Sequence, residues 1–257
     1  MQYVRTVDLS AFSATEFESR VFADRGSGLD SCICIVTRVP PGKGTPQGLH
    51  VHPADQLYFI LSGRMSVQIG DRELTAGPKQ LVYIPAGLPH RNWNAGAEDE
   101  VHFEWIVPQP PAGEPVYTTV DATKTVAAPA GVAFVRPLDE SRLAADDRWS
   151  QVVLADRASG VSSVSVGVFR VPPSVRLGRL HVHRFDQIYY VISGRMRLQV
   201  GLEEYTAGPN TLVILPAGMP HRNWNEGPEA ELHLNLRVPE PEDPDVRTWD
   251  LPVRIGE

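Results

Sequence analysis

The sequence predicts an all-β chain folded as two tandem jelly-roll barrels, and three observations predict it. First, His50, His52, Gln56 and His90 return as His181, His183, Gln187 and His221, each 131 residues later. Second, His50 to Pro108 and His181 to Pro239 align without an indel, identical at 34 of 59 positions, which marks a duplicated domain; two copies are too few for a solenoid. Third, each copy consists of short β-prone runs cut by turn residues, at the spacing of a sandwich or barrel.

In chain order, Tyr3-Val4-Arg5 opens the first copy and matches Phe134-Val135-Arg136. Ala23-Asp24-Arg25 matches Ala155-Asp156-Arg157 at an offset of 132, so one residue is lost before His181, and the loss between Val39 and His50 reads as a loop. Strands are expected at 57–61, 65–69, 81–84 and 101–105, separated by the turns Ser62-Gly63, Gly70-Asp71 and Ala76-Gly77-Pro78. Helix is expected only at 13–22 and 139–149. The Pro- and Gly-rich run from Gln109, continuing to Gly131, reads as a connector. This places a first domain at 1–118, a linker at 119–131 and a second domain at 132–257, with a short C-terminal arm after Pro244 packing on the body.

Composition sets the class. In 257 residues, 42% hydrophobic and 21% charged is the balance of a globular protein, and no run of about 18 apolar residues is available to span a membrane. The N-terminus lacks a basic start and an apolar stretch, so the expected compartment is the cytoplasm. A formal charge of −7 argues against nucleic-acid partners, which require concentrated Lys and Arg. Cys32 and Cys34, two apart on a strand, face one side and read as small core residues.

Histidines at i and i+2 on a strand project from one face, so His50 and His52 can converge on one ion. On a straight strand Gln56 would lie roughly 13 Å further along, so the chain must fold back through Pro53-Ala54-Asp55. His90 follows a second turn, Pro85-Ala86-Gly87. Three imidazoles and a carboxamide then close on a divalent cation at about 2.0–2.3 Å. His181, His183, Gln187 and His221 repeat the set, giving up to two ions per chain.

Gly44-x5-His50-x-His52-x3-Gln56-x6-Gly63 and Pro85-x-Gly87-x2-His90-x3-Asn94 resemble the two motifs of the cupin superfamily. The second copy is similar, with Val175 in place of Gly44, so the chain resembles a bicupin. The resemblance implies paired barrels and a metal; cupins include dioxygenases, isomerases, decarboxylases, lyases and metal-free storage proteins, and fold does not choose among them. Cupins usually carry Glu where this chain has Gln56 and Gln187, as the flavonol-cleaving bicupins do. In ligand set the chain is similar to the bicupin isomerase of bacilysin biosynthesis and to cupin hydroxynitrile lyases.

A glutamine ligand brings no negative charge, so an anionic, chelating substrate is held more strongly. The leading expectation is an iron(II) dioxygenase acting on a small enolic, phenolic or oxo-acid substrate. A non-redox isomerase, lyase or decarboxylase is the alternative, with manganese(II), nickel(II), cobalt(II) or zinc(II) as other cations, and a binding or storage module is the third reading. His102 and His233 are the expected proton shuttles near neutral pH. Tyr58, Tyr189, Glu104 and Asn235 are expected to face the substrate, and Arg179, two residues before His181, to clamp a carboxylate. With Ala54 where the second copy has Phe185, the first site is expected to be the roomier. Monomer and homodimer are both open.

Overall fold

A computed structural model of the chain describes residues 1–121, 126–143, 148–173, 179–241 and 249–250. Its contacts divide into two compact units, Asp8–Leu138 and Met1–Val7 with Asp139–Glu257. Each unit is all-β apart from short 3-10 turns, and each is built from two antiparallel sheets among the described residues.

In the first unit the six-stranded sheet runs Val135–Pro137, Gln80–Ile84, Asp55–Ser62, Glu100–Val107, Ile33–Val39, Glu18–Ala23. The five-stranded sheet facing it runs Thr118–Thr119, His50–Val51, His90–Trp93, Met65–Ile69, Arg72–Ala76. The second unit repeats this order with Val4–Thr6, Thr211–Leu215, Asp186–Ser193, Glu231–Val238, Ser165–Val171 and Ser150–Ala155 in one sheet. Its other sheet holds Glu203–Ala207, Met196–Val200, His221–Trp224, His181–Val182 and Trp249–Asp250.

The strands form where period-two alternation places apolar side chains inward. Tyr58, Ile60, Met65, Val67, Ile69, Val82 and Ile84 make the packed end of the first barrel, and Tyr189, Val191, Met196, Leu198, Val200, Val213 and Leu215 repeat it. The Ser-Gly turns close these hairpins against the final strand: Gly63 has φ 69°, and a Cβ there would lie 2.3 Å from the Asp99 carbonyl oxygen. Gly194 does the same against Ala230. Cys32 and Cys34 are buried and form no disulfide, their sulfurs 3.9 Å apart, with Cys34 on the strand and Cys32 just before it.

Three expectations are corrected. Residues 13–22 are not helical: Ser13 Oγ accepts from the amides of Thr15 and Glu16 in a local turn, and Glu18–Ala23 then pairs with Ile33–Val39 as an edge strand. Around 139–149, the described residues hold only a 3-10 turn, Glu140–Arg142, with Asp139 accepting from the Ser141 amide; 144–147 lie outside them. The units also divide differently from the expected 1–118 and 132–257. Val4–Thr6 adds to Thr211–Leu215 and Val135–Pro137 to Gln80–Ile84, so each opening strand pairs in the unit of the other copy. Of the C-terminal arm, Trp249–Asp250 pairs with His181–Val182; its other residues after Pro241, and Val175, lie outside the described residues.

Candidate metal centres

The ligand residues converge because the chain turns a corner between sheets. His50–Val51 lies in the five-stranded sheet, Pro53 and Ala54 make the corner, and Gln56 stands on Asp55–Ser62 in the six-stranded sheet. Asp55 ties this corner to the next turn by accepting from the Ala86 amide at 2.9 Å, and the Gly87 amide donates to the His52 carbonyl at 2.8 Å. His90 is thereby brought directly opposite His50 across an antiparallel pair. In the second copy Asp186 accepts from Ala217 at 2.8 Å, Gly218 donates to His183 at 2.7 Å, and His181 opposes His221.

In each triad the candidate ligand atoms lie within 4.8 Å of one another, for His50, His52 and His90 and for His181, His183 and His221. Tautomers are settled by the backbone. His50 Nδ1 donates to the Gly48 carbonyl at 2.8 Å, His52 Nδ1 to Val116 at 2.7 Å and His90 Nδ1 to Leu88 at 2.8 Å. A carbonyl only accepts, so the proton sits on Nδ1 and each Nε2 offers its lone pair. His181 donates to Arg179 and His221 to Met219 in the same way. Burial, the largest cause, holds His50, His52 and His90 below the ordinary imidazole range and lowers His221 to about 3, so these rings are neutral, as ligands must be.

The donors fit a cation. His52 Nε2, His90 Nε2 and Gln56 Oε1 are buried without a hydrogen-bond partner, a cost that a shared ion would remove. In the second site the Gln187 Oε1 and His221 Nε2 lone pairs face each other at 3.0 Å, a contact of two acceptors that calls for a positive charge between them. The glutamine amides are oriented from behind: Gln56 Nε2 donates to Glu104 Oε1, and Gln187 Nε2 donates to Asn235 Oδ1 at 3.2 Å.

Glu104 changes the electrostatic expectation. Among the described residues no carboxylate joins either histidine triad, yet one stands directly behind the first glutamine and would offset part of a bound cation's charge; Asn235 would offer no such charge in the second site. The surroundings of His102 set its charge state higher than the neutral range expected. Both Glu100 oxygens hold its Nδ1, at 3.0 and 2.9 Å, and its Nε2 lies 3.7 Å from Glu104 Oε2. Burial pushes the ring off its proton, but the two carboxylates outweigh burial and raise His102 to about 9. At neutral pH it is an imidazolium, an acid rather than a base. His233 is held by Glu231 through the same pair of contacts, at 3.0 and 2.9 Å.

Tyr58 and Tyr189 are buried and line the two cavities beside His102 and His233, with ring centroids 4.9 and 4.7 Å apart; burial raises both phenols. Arg179 is not where the sequence suggested. Its side chain is 85% exposed and paired with Asp250 at 2.9 Å, and it contributes to the site only the carbonyl that orients His181. The residue that does bring a guanidinium to the second cavity is Arg237, on the inward face of the closing strand. Glu100, Glu231 and Arg237 were legible from parity with His102 and His233; Val116 and Tyr117, which wall the first cavity from a loop, carried no signal. The first cavity measures about 190 Å³ and the second about 250 Å³, reversing the order that Ala54 and Phe185 suggested. Phe185 lies flat on His183, at 4.5 Å and 15°, rather than across the opening.

The cupin domain family matches residues 35–107 and 167–237. A curated relative, an uncharacterised protein of Streptomyces coelicolor, is 33% identical over 48 residues, which is 19% of this chain and 46% of that protein, so the match spans under half of the relative's length. Solved structures of Bacillus subtilis oxalate decarboxylase are similar in fold. One described for its Mn(II) centres has a TM-score of 0.71 at 17% identity, covering 97% of this chain and 79% of that one. A tryptophan-to-tyrosine variant of the same enzyme gives 0.69 at 17% identity, covering 93% and 77%.

Proposed function

We propose, for a chain that belongs to the cupin domain family, a metal-dependent enzyme whose first cavity carries out a non-redox decarboxylation, lyase or isomerase step on a small chelating acid. The observation that carries this reading is the buried row Glu100, His102, Glu104 and Gln56, which joins a protonated imidazole to the amide of a metal ligand. A divalent cation held by His50, His52, His90 and Gln56 would supply Lewis acidity to the substrate's oxygens.

The chain's own residues supply the rest. His102 Nε2 lies 3.7 Å from Glu104 Oε2, and Glu104 lines the cavity next to Gln56, which puts a carboxylate between the imidazolium proton and bound substrate. In a decarboxylation the carbon–carbon bond breaks, carbon dioxide leaves, and the electron pair left on carbon takes that proton; no external oxidant or reductant is consumed. A cavity of about 190 Å³ admits a small acid. Solved structures of the same fold include a decarboxylase described with Mn(II), which supports the reading and ranks manganese beside iron. A second reading, a dioxygenase on an enolic, phenolic or oxo-acid substrate, is favoured by the donor set itself, which contains no anionic ligand.

The test is turnover of oxalate and small 2-oxo acids by the full chain loaded separately with Mn(II) and Fe(II). Carbon dioxide release without oxygen uptake is expected, and His102→Gln should lower kcat by about 10²-fold with metal content unchanged. Oxygen consumed in proportion to substrate would replace this reading with the dioxygenase.

A further inference from the structure

The closing strands differ between the copies in the charges they turn inward. Glu100–Val107 presents His102, Glu104 and Ile106 to the first cavity, and Glu231–Val238 presents His233, Asn235 and Arg237 to the second. Alternation makes each trio one face, so Asn235 for Glu104 and Arg237 for Ile106 leave the second cavity two formal charges more positive.

The walls differ in the same direction. Opposite His102 in register stands Thr37, whereas opposite His233 stands Phe169, stacked on the imidazole at 5.5 Å and 11°. Phe185 lies on His183 in the position of Ala54, while Trp149 lines the second cavity where Phe17 lines the first. The Arg237 guanidinium is 5.8 Å from the Phe169 centroid. Flat rings flank this space of about 250 Å³ and one cation sits in its wall; an engineered apolar cavity of about 150 Å³ already admits benzene.

We infer that the second cavity is a binding site for a small aromatic carboxylate, with Arg237 as the partner of the carboxylate and Phe169 and Phe185 as walls for the ring, and that the first cavity rejects the same ligand. Arg237 is a specificity-determining residue, because a guanidinium matches a planar carboxylate in geometry as well as charge. The first cavity has Ile106 and Thr37 where Arg237 and Phe169 stand, so an anion that does not chelate the metal finds no partner there. The inference concerns equilibrium binding at the second site and stands whether or not the first site turns over substrate.

Calorimetric titration of the full chain, at measured metal content, with benzoate and with its neutral analogue benzamide tests it. One benzoate per chain is expected, bound at least about ten-fold more tightly than benzamide. Arg237→Ile, which copies the first site, should bring benzoate down to the level of benzamide while benzamide binding and metal content stay unchanged, and Arg237→Lys should retain part of the preference. Asn235→Asp, which leaves the arginine in place and restores a carboxylate, should weaken benzoate by about ten-fold. Two benzoates per chain, equal binding of benzoate and benzamide, or benzoate affinity that vanishes on metal chelation yet survives Arg237→Ile would overturn the assignment.

Discussion

Gln56 and Gln187 look interchangeable in sequence, but the groups behind them differ. Glu104 accepts the Gln56 amide, and an ionised carboxylate has only acceptors to offer; Asn235 can turn its own amide to donate. Gln56→Glu would set two carboxylates face to face and lose a hydrogen bond to a charged group, destabilising the metal-free protein by about 2 kcal/mol or more. Gln187→Glu should cost less than about 1 kcal/mol and tighten metal binding at its site. Denaturant unfolding at pH 7 checks the contrast, and equal effects of the two substitutions would refute it. His102 makes a second prediction. Its folded value of about 9 lies above the ordinary 6.5, so the folded state binds the proton more tightly. The stability it contributes is complete below about pH 6.5 and fades as pH rises through about 9. His102→Gln, which leaves Glu100 buried without its ion-pair partner, should therefore cost about 3–5 kcal/mol at pH 6 and much less at pH 10. A gap that stays constant between these pH values would contradict this account.

The elements act by being cornered. A strand bearing His50 and His52 cannot reach Gln56 unless the chain passes from one sheet to the other, and the Asp55–Ala86 and Asp186–Ala217 hydrogen bonds lock that passage to the turn bearing the last ligand. Asp55→Ala should loosen both turns at once, weakening metal binding at the first site while leaving the second intact; titration with Mn(II) would resolve the two. The hairpin turns are constrained as tightly. At Gly63 a Cβ meets backbone rather than a movable side chain, and φ is positive, so Gly63→Ala should cost about 1–3 kcal/mol or more in thermal or denaturant unfolding. Parity along the closing strand was readable in advance, since strand geometry alone fixes it. Residues 13–22 were misread because Ser and Glu also serve in local turns and edge strands, and short segments carry little periodicity.

For the molecule as a whole the repeat implies two independent ions. His90→Ala and His221→Ala should each remove one metal equivalent per chain, and the double substitution both, as read by elemental analysis. Chelation should lower the unfolding midpoint, since a ligand at one hundred times its Kd stabilises by about 2.7 kcal/mol. Loss of both equivalents in either single variant would show that the sites are not independent. Among the described residues no helix is long and apolar enough to cross a membrane.

By itself the sequence determined the duplication, the strand alternation and the six histidines that gather as two triads, because a constant offset and period-two spacing are properties of the chain read in one dimension. Only the tertiary structure decided which strand each opening segment joins, that His102 is clamped between two carboxylates, that Arg179 turns outward, and that Arg237 and Phe169 shape the second cavity. Those outcomes depend on which groups from distant strands meet in a space that excludes water, where a neighbouring charge or its absence outweighs the character of the residue alone.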